Sequence, residues 1–379
     1  MNLNEKWQEK AVSGLIATLT QSGTTDDHWK AAKLIESYLR VTRAQQLRED
    51  MLNALGKGLG MESNYFVQSF YIQIIWESPT LPGSKYQLLI VLFGTPKDER
   101  TKSYLIRALS ETAPPAQREE LAAKMTQELI TTKDSSYVAP AAAGVIQQFR
   151  YRKAIPDLVK GLQTAPSNVA TTIAGLLRTL IPPNEQQERE NLAALVVEML
   201  EKTQDYSFPR EAAAIIKEFG YRKACQPATK LLYATVNTSI AEASADIIKS
   251  FQCREGLPTV TQVLCTTTNS SIGQSAADVI KTLQYREALP DLREAIQTAP
   301  IAVSVHIANV LAAFQDQEGI KALRERIGND KYTSDGNFAS LGKALYELQG
   351  EQSVDLLIEC FKDGQAYVQA NWIDFFKEK

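Results

Sequence analysis

Histidine is nearly absent from this chain: two in 379 residues, His28 and His306. Cysteine is scarce as well, at Cys225, Cys253, Cys265 and Cys360, with no pair at CxxC spacing. A zinc site therefore has no ligand set, and the cysteines read as small buried hydrophobes in a reducing compartment. His306 lies within "IAVSVHIANVLAAF", a helical stretch where it reads as structural, with a catalytic base as the alternative. The chain has no GxGxxG fingerprint, no GK[ST] phosphate loop and no GxSxG elbow. "GKGLG" from Gly56 follows no strand and lacks the terminal hydroxyl residue, so it reads as a helix end and loop. Carboxylates are plentiful, but nothing in their spacing sets two around a substrate. No cofactor is expected, and an enzyme is the less favoured reading.

Long apolar runs are missing too. The best, "YQLLIVLFG" from Tyr86, is far too short to span a bilayer. The N-terminal "MNLNEKWQEK" has no apolar signal-peptide core. No membrane partner is expected, and a cytoplasmic location follows as the default. Neither charge sign dominates: 41 basic against 44 acidic residues leave a net charge of -3. There is thus no bulk attraction to nucleic acid, which is not the expected partner.

What is present is a repeat. With Tyr285 as reference, steps back of 32 residues reach Cys253 and Tyr221, and steps forward of 31 and 34 reach Asp316 and Gly350. A step of 70 back from Tyr221 reaches Tyr151. That long step is two periods of about 35, or one repeat carrying an insertion; a helical period of this length signals an α-solenoid. Nine and eight residues before the reference stand small residues, among them Ala142, Ala143, Ala276 and Ala277. Six and five before stand pairs such as Val145–Ile146 and Ile247–Ile248; two before stand Phe149, Phe219, Phe251 and Leu283. These offsets fall on one helix stripe. Pro156, Pro258 and Pro290, five past the reference, mark the first turn of the next helix; Pro227 is shifted by one. Each unit is therefore helix, tight corner, helix, polar turn, and burying its stripes requires stacked neighbours.

"SNVATTIAGLLRTL" from Ser167 and "QERENLAALVVEMLEK" from Gln187 read as partner helices separated by the insertion "IPPNEQ". Upstream, helices are expected over 29–39, 45–58, 66–75, 86–92, 101–110 and 117–130, without the repeated corner. The expected organisation is a helical region over 1–134, either degenerate repeats or a cap. A repeat solenoid over 135–364 follows, with an insertion near 182–187, then a C-terminal helical cap over 365–379, where Trp372, Phe375 and Phe376 close the last layer.

Segments such as "PREAAAIIKEFGYRKACQPATKLL" from Pro209 and "GQSAADVIKTLQYREALPDLREAI" from Gly273 resemble HEAT repeats. More narrowly, they resemble the short bacterial repeats named after phycobilisome lyases. The resemblance covers about 135–328 and extends less clearly to 364. It implies an all-α, right-handed superhelix of antiparallel helix pairs, one helix of each pair lining a concave face. Such repeats often carry an acidic residue in the corner and an arginine near the start of the preceding helix. Here the corner holds Tyr151, Tyr221, Cys253 and Tyr285, and only Arg210 matches that arginine closely. HEAT-repeat iron enzymes that hydroxylate lysine derivatives need several His–Glu pairs, which this chain lacks.

One feature points to function. Arg152, Arg222, Arg254 and Arg286 recur one residue past the reference, and stacked repeats set them along one edge. Lys153 and Lys223 follow in two repeats, Glu255 and Glu287 in the other two. Two readings are open. In one, the arginines cap the carbonyls of the preceding helix and pair with neighbouring acids. In the other, Tyr151, Arg152, Tyr221, Arg222, Arg254, Tyr285 and Arg286 form an edge that grips an acidic or planar group on a partner. The expected function is a non-enzymatic protein-binding adaptor or scaffold, its partner bearing an acidic surface. A bilin lyase or lyase partner, implied by the resemblance alone, is the alternative, with bilin as ligand; backbone-directed DNA binding is the third reading.

Overall fold

The computed structural model describes residues 3–21, 23–42, 45–79, 82–94, 98–134, 136–203, 206–329 and 338–363. The cap expected over 365–379, with Trp372, Phe375 and Phe376, lies outside the described residues. Among the described residues all regular structure is helical. The chain divides into two units, Met1–Pro182 and Pro183–Lys379, the division falling within the proline pair of "IPPNEQ".

The first unit holds α1 (Leu3–Thr20), α2 (Thr25–Val41), α3 (Gln45–Met61), α4 (Tyr65–Glu77), α5 (Pro82–Leu92), α6 (Glu99–Thr112), α7 (Arg118–Thr131), α8 (Val138–Gln148), α9 (Ile155–Thr164) and α10 (Ser167–Leu180). The second holds α11 (Gln186–Lys202), α12 (Phe208–Glu218), α13 (Cys225–Ala234), α14 (Thr238–Phe251), α15 (Leu257–Thr266), α16 (Ser270–Thr282), α17 (Leu289–Ala295), α18 (Ile301–Ala313), α19 (Gln317–Asn329), α20 (Phe338–Gln349) and α21 (Val354–Asp363). Even-numbered helices stack on even-numbered ones: α2 on α4, α6, α8 and α10 in the first unit, and α12 on α14, α16, α18 and α20 in the second. Odd-numbered helices make the other layer, as in α13, α15, α17 and α19. This two-layer stacking is a HEAT-like α-solenoid.

The stripe read from the sequence is the seam of this stack. The alanines and Ser244 at nine and eight before the reference are buried, as are the Val and Ile residues at six and five before; Ile146, Ile216, Ile248 and Ile280 are wholly inaccessible. At two before, Phe219, Phe251 and Leu283 are buried and Phe149 is half-buried. Small residues let neighbouring even helices approach, and the branched chains fill the space between layers.

The corners share one backbone solution. Arg150, Gly220, Gln252, Gln284 and Gln315 all sit at positive φ, between 50° and 68°. The next N–H reaches back to close the helix: Tyr151 N–H donates to the Ile146 carbonyl and Arg150 N–H to the Gln147 carbonyl, both at 3.0 Å. The same pairs recur at Gly220/Tyr221, Gln252/Cys253, Gln284/Tyr285 and Gln315/Asp316. This is the Schellman arrangement, which satisfies the last helix carbonyls with backbone donors. The reference residue then bends tightly (φ -76°, ψ 80° at Tyr151). A short 3-10 turn beginning at the arginine leads into the next helix, as in Arg152–Ala154 and Arg286–Ala288.

Two local expectations are adjusted. "GKGLG" forms the last turns of α3, which ends at Met61, with the loop only beyond it; a Cβ at Gly58 would meet the Tyr71 ring at 3.0 Å and the Leu19 carbonyl at 3.1 Å. The glycine serves close helix approach. Helix α1 was not among the expected helices, because its polar opening lacks a clear apolar stripe.

A polar pin runs through the first unit. The buried His28 ring bridges the Gln21 carbonyl (3.2 Å) and the Glu62 carboxylate (3.0 Å). Glu62 also accepts from the Ser63 and Asn64 N–H groups at 2.8 Å. The Gln68 side chain donates to the Glu62 carbonyl and accepts from Thr101, tying the Glu62 turn to α4 and α6. Burial alone would push the Glu62 carboxyl up, but the Asn64 N–H, the His28 ring and the Ser63 N–H outweigh it and hold it below its ordinary value of 4.5. A depressed folded-state pKa stabilises the fold above the unfolded value, and that contribution is lost as pH falls through the folded one. Glu62→Gln is expected to cost about 2 kcal/mol at neutral pH, with the gap to the unsubstituted protein narrowing below pH 4.5. Urea unfolding at both pH values measures it; a gap independent of pH would remove the Glu62 charge from the account.

Candidate functional site

The corner residues fall in both units. Tyr151 and Arg152 belong to the first; Tyr221, Arg222, Arg254, Tyr285 and Arg286 belong to the second. All four arginines are exposed, and the three tyrosines are half-buried. Each arginine opens a 3-10 turn, so its placement follows from the backbone solution above.

Their surroundings then diverge. In the first unit, Lys153 pairs with Glu119 from the preceding repeat, and Tyr151 and Lys153 line a recess of about 270 Å³. Arg118 lies over the Phe149 ring at 5.5 Å. In the second unit Arg189 lies over Phe219 at 4.2 Å and Arg286 over Phe314 at 5.4 Å. The ring two before the reference thus serves as a seat for a cation from the preceding repeat. Arg222 occupies the station equivalent to Arg286, with Phe251 as the equivalent ring, but among the described residues no cation lies over Phe251. For Arg254 the equivalent station holds Leu283, which has no ring to seat a cation.

Arg222 and Arg254 instead line one groove of about 790 Å³, with Cys225, Gln226, Thr229, Lys230, Phe251, Gln252, Cys253, Glu255, Gly256 and Thr259. Arg222, Lys230 and Arg254 have no ion pair among the described residues, and Glu255 is the one carboxylate in the lining. The groove has a narrow waist: a Cβ on Gly256 would run into the Thr229 hydroxyl, so the corner must carry glycine where three others carry Ala154, Ala224 and Ala288. Chemically, the groove offers two planar guanidiniums, an ammonium and carboxamides to an anionic group.

Its floor corrects the cysteine reading. Cys225 and Cys253 are joined in a disulfide, with Cα atoms 5.6 Å apart and a separation of 28 in sequence. They are not independent buried hydrophobes in reduced form. Stacking sets the residue four past one reference beside the next reference, and only here do both stations hold cysteine. The neighbouring stations pair Leu257 with Tyr285 and Leu289 with Asp316. Cys265 is free and half-buried; burial, then Asp291 and Glu294, push its thiol up to about 11.

A second groove, of about 480 Å³, runs over α12, α14 and α16 and includes Arg210, Lys217, Asp246, Lys249 and Asp278. Its charges are internally compensated: Lys217 and Lys249 hold Asp246 at 3.2 and 3.1 Å. Burial raises the Asp246 carboxyl, but hydrogen bonds from these two lysines win and leave it below the ordinary range. It has less charge to offer a partner than the corner groove. His306, on α18, is half-buried with Nε2 2.9 Å from the Ser270 hydroxyl. Burial lowers its pKa, Asp278 opposes this, and Lys281 adds to the lowering.

Among the described residues no group of three or more His, Cys, Asp or Glu side chains could hold a metal ion, and no described helix is long and apolar enough to cross a membrane. No protein-family model matches the chain, and no curated protein matches it. Solved structures do. Kap121p bound to Nup53p superposes with a TM-score of 0.58 at 11% identity, covering 96% of this chain and 48% of that one. Kap121p bound to Pho4p gives 0.55 at 12%, covering 96% and 49%. The karyopherin Kap121p bound to the extreme C-terminus of the protein phosphatase Cdc14p gives 0.55 at 11%, covering 96% and 49%. The chain thus spans about half the length of these relatives in fold.

At this identity the likeness is one of fold: a HEAT/ARM-like α-solenoid of the kind karyopherins have. The cytoplasmic location expected from the sequence is overturned by these likenesses, which are to karyopherins rather than to strictly cytoplasmic proteins. They also give no support to the bacterial origin attached to the lyase-type resemblance.

If Arg286 is a packing residue and Arg222 and Arg254 are not, Arg286→Ala is expected to cost about 0.5–1 kcal/mol. Arg222→Ala and Arg254→Ala are expected to stay within about 0.5 kcal/mol of the unsubstituted protein. Urea midpoints for the three variants decide it; equal losses at all three would make the groove arginines structural.

Proposed function

We propose that this chain is a non-enzymatic protein-binding scaffold whose groove between the Arg222 and Arg254 corners takes an acidic segment of a partner protein. The observation that carries the reading is the set of three cations, Arg222, Lys230 and Arg254, facing one groove without an ion pair among the described residues. Other corner cations are engaged, Lys153 by Glu119, Lys223 by Glu190 and Arg286 by the Phe314 ring, while these three have no such partner among the described residues. Guanidiniums bind carboxylates through two parallel hydrogen bonds, which gives register as well as attraction. Kap121p, whose fold is similar, has been solved bound to Nup53p and to Pho4p. In the same reading the repeats of 135–364 present the docking surface, and 1–134 is a helical region preceding them.

The finer resemblance, to phycobilisome-lyase repeats, supports a second reading as a bilin lyase or lyase partner, since the same cations suit an acidic tetrapyrrole. It has the weaker footing. Cys225 and Cys253 are bonded to one another, so neither offers a thiol for a thioether. DNA-backbone binding is weaker still, with Glu255 in the groove and a net charge of -3.

Fluorescence polarisation with a labelled hexaglutamate peptide tests the proposal. Saturable binding is expected, weakened at least about tenfold in the Arg222→Ala/Lys230→Ala/Arg254→Ala variant and left unchanged in Arg286→Ala. Equal binding by the triple variant, with helicity intact, would place the site elsewhere. Stronger retention of bilin than of the peptide would favour the second reading.

A further inference from the structure

The two arginines of the groove are tied together through its floor. Cys225 stands three residues after Arg222, as the first residue of α13, and Cys253 stands immediately before Arg254. Their disulfide therefore links the backbone carrying one guanidinium to the backbone carrying the other. Beside it, Gly256 closely approaches Thr229, and α13 packs on α15 and on the Arg254–Gly256 turn. Other corners hold to their neighbours by charge: Lys153 to Glu119, and Arg293 to Asp316 and Glu318. At this one corner the tie is covalent and neutral, and it lies in the groove lining itself.

We infer that the Cys225–Cys253 bond is a redox control on the groove: the disulfide form holds Arg222 and Arg254 at the spacing that grips an acidic segment, and the dithiol form releases it. The inference rests on the function proposed above. The chemistry is ordinary exchange. A thiolate of a dithiol reductant attacks the Cys225 sulfur, which is the more exposed of the two, and the Cys253 sulfur leaves as a thiolate that takes up a proton. The reductant's second thiol then displaces Cys225, giving two protein thiols and one oxidised reductant. Two electrons and two protons enter the protein. Cys265 is no substitute for the reductant, because its raised pKa keeps it a thiol rather than the attacking thiolate. Pre-setting two binding groups raises affinity by removing the cost of ordering them on binding, an effect put at about tenfold here.

The test reads one preparation in both states. Labelled hexaglutamate is titrated by polarisation into the oxidised protein, into the same protein after dithiothreitol, and again after reoxidation, with alkylation and intact mass confirming the thiol count. About tenfold weaker binding on reduction, restored on reoxidation, is expected; Cys225→Ser/Cys253→Ser should bind weakly in both conditions and Cys265→Ser should still respond. Equal affinity in both states overturns the redox control and leaves the groove as a docking site. Absence of binding in either state overturns both. Loss of helical circular dichroism in step with binding also overturns it, since the disulfide would then hold the fold rather than the groove.

Discussion

A single backbone residue at positive φ turns each corner, and the use of every side chain nearby follows from it. For a residue other than glycine that conformation costs roughly 1–2 kcal/mol, and only Gly220 among the five avoids the penalty. Arg150, Gln252, Gln284 and Gln315 are held there by the buried pairs five and six residues before the reference, which fix the helix end against its neighbours. Because backbone N–H groups close the helix, its last carbonyls need no side-chain donor. The corner arginines stand just beyond this closed helix end, beside whatever the adjoining repeat presents.

What the adjoining repeat presents is not uniform. Some corners offer a ring, as Phe314 does to Arg286. Some offer acids: Asp316 occupies the reference position itself and receives Arg293 from α17. That pairing is the acidic–basic link common in such repeats, present here at one corner where Tyr151, Tyr221, Cys253 and Tyr285 stand at the others. The corner at Cys253 has a covalent tie instead, and no cation is needed to hold it. A groove of unpaired positive charge is the residue of that choice: a layer joined through sulfur leaves its guanidiniums for something outside the chain.

The repeating half of the fold was legible because burial imposes one period on one stripe, and the substitutions allowed there are narrow. Ile146, Ile216, Ile248 and Ile280 announce the seam wherever they recur. Upstream, the helices over 29–39, 45–58 and 66–75 could be read one by one as α2, α3 and α4, but no shared corner shows that they stack in the same two layers. Glycine told half the story: in "GKGLG" it marks the last turns of α3, but Gly58 also serves contact with Tyr71 and Leu19. Propensity records the cost of glycine in a helix and not what a neighbouring helix gains from its small size. The arginines were legible as a row; that Arg286 rests on Phe314 while, among the described residues, no cation lies over Phe251 is a relation between repeats rather than within one.

The disulfide was hidden for a related reason. Cysteine motifs are searched at spacings that suit one turn or one metal, where both sulfurs belong to the same local structure. In a stacked repeat the adjoining stations are separated by nearly a whole period. With a step of 32 from Tyr221 to Cys253 and Cys225 four residues along, the separation becomes 28. Cys265 has Asn237 and Arg293 at that separation on either side, so the same geometry leaves it single. Pairing in such a chain is a property of register: at these four corners the next helix begins four residues past the reference, and at Cys225 that station and the adjoining reference both hold cysteine. The shifted proline and the paired cysteine belong to the same repeat. Its departure from the common pattern therefore coincides with the one layer joined covalently, and with the groove whose cations have no partner inside the fold.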